Sequence, residues 1–297
     1  MKIQIKEAGG HKLCFPIPTG AVFGHITAAI LPHALKDEGI TITKKQAYQF
    51  IRELRRYKKA HPDWVLVDIE DAGDPVACAR AYCAAGADEL ALLDITATVE
   101  NRGTLLDVVS RVAEVCTVPF TVGGGISDVA SAAAVLQAGA DKISTSSAAF
   151  RKPEIIPEMI REFGPDAVTV AIDVDVNPAM PSGYEVYIDG GRTATGYDAV
   201  EWAKRVDGYG VKVILPTSKA GDGARTGYDL PVIKAIHDAC PECVVVASGG
   251  AGKMEDFLAA AKAGAQVLLA ASVFHFHLID IGELKKYLAA NGVKVRD

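Results

Sequence analysis

The sequence predicts an α/β fold: a (βα)8 TIM barrel built of two half-barrel repeats, with a small α+β extension at its N-terminus. Three observations predict it. From residue 64 onward, short aliphatic or β-branched runs alternate with helical segments eight times, the rhythm of parallel strands joined by crossover helices. The stretch VGGGISDVASAAAVLQAGADKISTSSAAF (122–150) returns as ASGGAGKMEDFLAAAKAGAQVLLAASVFHF (247–276), with Gly125 on Gly250, Gly139 on Gly264 and Ser147 on Ser272, each pair 125 residues apart. Two copies of a four-unit half close into a barrel with pseudo-twofold symmetry, which periodicity alone would not separate from an open doubly wound sheet. Third, residues 1–63 carry 11 Lys or Arg against 5 Asp or Glu, whereas the remaining residues carry 20 against 32. That reversal divides the chain into a basic unit, 1–63, and an acidic barrel, 64–297.

The expected barrel strands are Trp64–Ile69, Leu90–Leu93, Val118–Val122, Lys142–Ser144, Ala167–Ile172, Val211–Leu215, Cys243–Ala247 and Gln266–Ala270. The helices between and after them are Pro75–Ala85, Thr104–Val115, Val129–Ala138, Ile155–Phe163, Ala199–Val206, Leu230–Ala239, Met254–Ala263 and Ile281–Ala290. Pro216 is unexpected in an internal strand, because it removes a ladder donor. In the first unit, Ile3 and Ile5, then Leu13, Phe15 and Ile17, alternate with polar residues around Gly9-Gly10, a hairpin pattern. Helices are expected from about Thr19 to Lys36 and, capped by Thr43, to about Ala60.

Composition excludes several classes. With 49% hydrophobic and 23% charged residues, the chain has the makeup of an ordered globular protein. Its apolar runs fall well short of the roughly 18 residues of a membrane span, and no signal peptide is visible, so a cytoplasmic protein is expected. The six cysteines sit mostly in apolar patterns, where a reduced thiol acts as a small hydrophobe. Cys240 and Cys243, near His237, have the spacing of half a zinc site, but no second pair completes four ligands, so neither metal nor other cofactor is expected. Arg52, Arg55, Arg56, Lys58 and Lys59 form a basic run; such a run is usually a solvated face, and nucleic acid is not expected as a partner.

Candidate site residues gather at strand ends. Gly123-Gly124-Gly125 and Gly249-Gly250 follow the third and seventh barrel strands, where a missing Cβ lets the backbone come close to a ligand. Ser146-Ser147 and Ala271-Ser272 open the helical turns after the fourth and eighth strands, where outward amides favour an anion. Tight turns alone would explain one such loop. Two in register point to two phosphate cradles and a substrate phosphorylated at both ends. Carboxylates at strand C-termini, Asp68, Asp94, Asp173 and Asp222, stand where barrel chemistry occurs. Asp173 and Asp222 are the candidates for acid/base work, with Asp68 a conditional third, while Asp94 also reads as a helix cap.

Through DAGDPV, ADELALLDITAT, PFTVGGGI, GADKIS, VAIDVD, GYEVYIDGGRTATG, GYDL, ASGGAGKMEDF, AASVFHF and ELKKYLAANGVKVR, the chain resembles the cyclase subunit of imidazole glycerol phosphate synthase, of histidine biosynthesis, from Asp71 to Arg296. The resemblance implies an ammonia-dependent lyase and cyclase. It would convert phosphoribulosyl-formimino-aminoimidazole carboxamide ribonucleotide to imidazole glycerol phosphate and aminoimidazole carboxamide ribonucleotide. It also places the fifth-strand catalytic aspartate on Asp173, the loop aspartate on Asp222, and phosphate contacts on Gly125, Ser146, Ser147, Gly223, Gly250, Ala271 and Ser272. Glu89 and Lys142 match the ammonia route at the barrel base, where the family's glutaminase docks.

There are departures from the family's pattern. Its first strand with a catalytic aspartate, and a long first loop bearing a lysine, do not occur in their usual form. Asp68 and Asp173 are only 105 residues apart against the 125 of the repeat. Asp68 is the stand-in for the first aspartate, and the loop lysine has none. Val213 replaces a glutamate of the ammonia route, the first-strand arginine has no counterpart, and Ala220 replaces a loop aspartate. The alternative is therefore a catalytically impaired phosphate-binding or scaffold barrel. Residues 1–63, entering at the barrel base, are expected to shield or replace the glutaminase surface.

Overall fold

A computed structural model describes residues 2–6, 12–16, 74–94 and 104–296, and the chain divides into two compact units, Met1–Ala72 and Gly73–Asp297. In the first unit, β1 (Lys2–Lys6) and β2 (Lys12–Pro16) pair antiparallel with Ile3 opposite Phe15 and Ile5 opposite Leu13, the register the alternation requires. The expected first barrel strand Trp64–Ile69, with Asp68, and the two helices of residues 1–63 lie outside the described residues.

The second unit runs α1 (Pro75–Ala84), β3 (Leu90–Leu93), α2 (Leu106–Ala113), β4 (Phe120–Gly123), α3 (Val129–Gln137), β5 (Lys142–Thr145), α4 (Ser147–Arg151) and α5 (Ile155–Phe163). It continues through β6 (Val168–Val176), β7 (Tyr184–Ile188), β8 (Thr193–Asp198), α6 (Ala199–Gly208), β9 (Val213–Ser218) and α7 (Leu230–Ala239). It ends with β10 (Val244–Ala247), α8 (Met254–Lys262), β11 (Val267–Leu268), α9 (Ser272–His275) and α10 (Ile281–Ala290). The parallel strands lie side by side in the order β3, β4, β5, β6, β9, β10, β11, curled with the helices outside as a (βα)8 barrel.

Local chemistry sets the element ends. Asp74 caps α1 ahead of a proline in its first turn, and Asp128 and Ser131 form a reciprocal capping box on α3, which satisfies amides that have no partner within the helix. Thr104 does not open α2: its hydroxyl donates to the Gly124 carbonyl at 2.7 Å, so the helix begins two residues later. The repeat is visible in the backbone. Gly139 and Gly264 end α3 and α8 with φ of 109° and 110°, and a Cβ on either would lie 2.6 Å from the Ala113 Cβ and 2.4 Å from the His237 ring.

Along β6, Ile172 and Val174 are buried with Ile214 of β9, Trp202 and Val206 of α6 and Ile236 of α7. Burial of each such aliphatic chain contributes about 1.5–3 kcal/mol. The alternate residues Ala171, Asp173 and Asp175 are only half-buried and face the other side, the barrel interior. Pro216 lies inside β9 after all. It sits in register with Ile172 of β6, while the ladder to β10 breaks after Ile214 and resumes as a single bridge between Thr217 and Ser248. The lost donor is thus confined to one side of one strand. The strand expected over Gln266–Ala270 is shorter, Val267–Leu268.

One element was not anticipated. β7 and β8 form a hairpin that pairs antiparallel with the C-terminal half of β6, Asp173 standing opposite Tyr187 and Asp175 opposite Glu185. Asp189, Gly190 and Gly191 turn it with positive φ. Buried Glu185 accepts from Gly196 N–H at 2.6 Å and from Asn177 Nδ2 at 2.7 Å, so the hairpin closes on a satisfied carboxylate.

Candidate active site

The barrel brings Asp173 and Asp222 into electrostatic reach of one another. Asp173 projects from β6 at the mouth, and Asp222 lies on the loop after β9, whose first turn is made by Asp222 N–H donating to Ser218 O at 2.8 Å. Burial pushes the Asp173 carboxyl up to about 6, the negative charge of Asp222 adds to the rise, and a hydrogen bond from Gly191 N–H opposes it. A carboxyl poised there exchanges protons near neutral pH, the condition for general acid/base work. Asp68 lies outside the described residues.

The two segments expected to cradle phosphates adopt related turns. Ser146 precedes α4 with φ −133° and ψ −90°, and Ala271 precedes α9 with φ −117° and ψ −71°. They differ in their surroundings. Ser147 is buried and its hydroxyl accepts the Asp189 N–H of the hairpin turn at 2.9 Å. Arg151 grips the same Asp189 with both contacts at 2.7 Å and, through that bond, holds its carboxyl below the usual range. Ser272 meets a cation instead: Arg225 Nε lies 3.4 Å from its hydroxyl, and the guanidinium sits 5.4 Å over Phe276. Gly125 and Gly223 adopt φ of 72° and 73°, and Gly250 one of 108°. The close approach at Gly250 is to another loop, since a Cβ there would lie 2.1 Å from Gly227 O. Its glycine therefore serves loop packing beside any ligand contact.

At the opposite end of the strands, Glu89 accepts from Lys142 Nζ at 3.0 Å, with Arg296 Nη2 3.4 Å from its other oxygen. The two residues matched to the ammonia route thus form an ion pair, joined by a second cation that the sequence did not single out. Cys243, once half of a possible zinc site, points its thiol at Asp207 Oδ1 and Val211 O, both at 3.2 Å, and burial pushes it up to about 12. Among the described residues no group of three or more His, Cys, Asp or Glu could hold a metal ion, and no helix is long and apolar enough to cross a membrane.

Sequence reasoning missed the hairpin residues Tyr187, Asp189 and Gly191, together with Lys219 and Arg225. The signal for the first group was present: aliphatic Val186 and Ile188 run into Asp189-Gly190-Gly191, a glycine-rich hairpin turn. Lys219 and Arg225 carried no pattern beyond their charge.

Fold and site together define a (βα)8 barrel with two aspartates in electrostatic reach at its mouth. The chain matches the model of the histidine biosynthesis protein family over residues 64–280. It is 48% identical over 228 residues to the HisF subunit of imidazole glycerol phosphate synthase from Pyrobaculum aerophilum, covering 77% of this chain and 88% of that protein. The chain belongs to the histidine biosynthesis protein family. Likeness at this level and coverage supports the cyclase and lends nothing to the alternative of an impaired scaffold barrel.

Proposed function

We propose that this chain is the ammonia-dependent cyclase that converts phosphoribulosyl-formimino-aminoimidazole carboxamide ribonucleotide to imidazole glycerol phosphate and aminoimidazole carboxamide ribonucleotide, working in the cytoplasm. The observation that carries this reading is the approach of Asp173, on β6, to Asp222, on the loop after β9, between the strands of the two cradles. The cradle of Gly125, Ser146 and Ser147 takes one phosphate, and that of Gly223, Gly250, Ala271 and Ser272 takes the other. Asp173 moves the proton, Asp222 tunes it, and Asp68 is assigned the part of the first-strand aspartate. Ammonia enters past Glu89 and Lys142.

Residues 1–63 are assigned to a basic unit of their own, and 64–297 to the barrel. As an extension of the same reading, the first unit shields or replaces the surface on which a glutaminase subunit would dock. Tight binding of a glutaminase to the full-length chain in a titration would sink that extension. The test of the function itself is purified protein with the bis-phosphate substrate and ammonium at alkaline pH, following the loss of substrate absorbance. Turnover supports the cyclase; tight substrate binding with no turnover would favour the scaffold.

A further inference from the structure

Beside Asp173, three further side chains share the active face. Directly opposed residues of an antiparallel pair, and alternate residues of one strand, lie on one side of the sheet. Tyr187 is opposite Asp173, and Asp175 is two residues along β6, so all three face the mouth. Lys219, leaving the end of β9, reaches across to them: its Nζ lies 3.3 Å from Asp175 Oδ2 and 4.1 Å from the centre of the Tyr187 ring. Its stem packs on the hairpin turn, where a Cβ on Gly191 would lie 3.5 Å from Lys219 Cγ. That same Gly191 donates its N–H to Asp173.

The position and the weakness of this contact are informative together. In the sheet order, β6 and β9 separate the strands of the first cradle, β4 and β5, from those of the second, β10 and β11. A ligand bridging both cradles therefore passes Lys219 with its middle segment. The ion pair is partly in water, with side-chain exposures of 40% for Lys219 and 28% for Asp175. Pairs in that setting are held weakly and exchange for a better anion, and an aromatic face holds a cation with similar weakness.

We propose that Lys219 is an exchangeable cation of the active face. Asp175 and Tyr187 park it in the free protein, and it turns onto the oxygen of the substrate's middle segment that gains negative charge as Asp173 moves a proton. A donor aimed at developing charge acts on the rate rather than on ground-state binding. The inference builds on the cyclase reading above.

Steady-state kinetics with substrate and ammonium test it on wild type, Lys219→Met, Lys219→Arg and Asp175→Asn, with thermal unfolding of each. The expected result is a fall in kcat of about 100-fold for Lys219→Met, the scale for losing one such donor, with KM little changed and part of the rate recovered by Lys219→Arg. Asp175→Asn, which only frees the cation, retains or exceeds the wild-type kcat/KM. Equal losses in Lys219→Met and Asp175→Asn would reveal a structural ion pair and overturn the proposal, as would an unaltered rate in Lys219→Met. Where the Met variant folds poorly, Lys219→Gln repeats the measurement. Absence of wild-type turnover would overturn the cyclase reading and this proposal with it; turnover indifferent to Lys219 would overturn the proposal alone.

Discussion

The Ser147 hydroxyl accepts the backbone N–H of Asp189 at 2.9 Å, which ties the first cradle to the β7–β8 hairpin. The register-related Ser272 meets the Arg225 side chain instead. The two serines should therefore respond differently. Ser147→Ala leaves a backbone donor without its partner and lowers stability by about 1–2 kcal/mol, as well as weakening product binding. Ser272→Ala weakens binding while the unfolding midpoint stays near wild type. Calorimetric titration with each of the two mono-phosphate products, imidazole glycerol phosphate and aminoimidazole carboxamide ribonucleotide, shows which binding each serine serves, and thermal unfolding separates the two variants; equal midpoints for both would refute the asymmetry.

Asp173 carries a prediction on stability as well as rate. Its carboxyl is raised in the folded protein from 3.8 to about 6, so folding favours the protonated form. That stabilisation is complete below pH 3.8 and is lost as pH rises through about 6. Asp173→Asn keeps the neutral shape at every pH. It should be more stable than wild type at pH 8 by up to about 3 kcal/mol, the gap closing below pH 4, while kcat falls on the order of 10²–10⁴-fold. Denaturant unfolding at the two pH values checks the sign, and a variant less stable at pH 8 would contradict it.

What was legible in the sequence divides along physical lines. Ile155–Phe163, Leu230–Ala239 and Ile281–Ala290 emerge with the ends expected for them, because their apolar spacing and their boundaries coincide. The paired glycine and serine turns were legible because the repeat doubled an otherwise ambiguous glycine signal. The hairpin was not, because Tyr184–Ile188 and Thr193–Asp198 were absorbed into the span between strand and helix. Nor was the Lys219–Asp175 contact, since it joins the end of β6 to the residue after β9, 44 positions apart in sequence, through a long lysine side chain. Pro216 misled for an instructive reason: a strand tolerates proline where its ladder to one neighbour is already interrupted.

Asp222 raises Asp173 through its charge, second to burial. Asp222→Asn should accordingly move the acidic limb of kcat/KM below its wild-type position near pH 6, since the repulsion favouring the protonated form is gone. The pH profile is taken with unprotonated ammonia held saturating, so that its own ionisation does not enter. A limb that stays in place, or rises, would remove Asp222 from the Asp173 environment.

The half-barrel symmetry predicts paired costs at Gly139 and Gly264. Alanine at either must hold a φ near 110° and force a Cβ against Ala113 or the His237 ring. Each substitution should destabilise by about 1–3 kcal/mol, and the two should add, because they sit in different halves. Chemical denaturation of the single and double variants reads this directly; a neutral Gly264→Ala would show that the His237 ring has room to move.

At the barrel base, Lys142 and Glu89 are each about one quarter exposed and meet at 3.0 Å, with Arg296 at 3.4 Å from the same carboxylate. A pair that retains water contributes about 0–1 kcal/mol, so Lys142→Met should shift the unfolding midpoint only slightly, Arg296 still facing Glu89. Its effect on the reaction should appear elsewhere. If ammonia passes this pair, an uncharged and bulky Met changes the apparent KM for ammonium while the KM for the bis-phosphate substrate, held at the other end of the strands, stays the same. Two-substrate kinetics distinguishes these constants. Equal changes in both would place the fault in the fold as a whole rather than in the route, and no change in either would leave Glu89 and Lys142 as a purely structural pair.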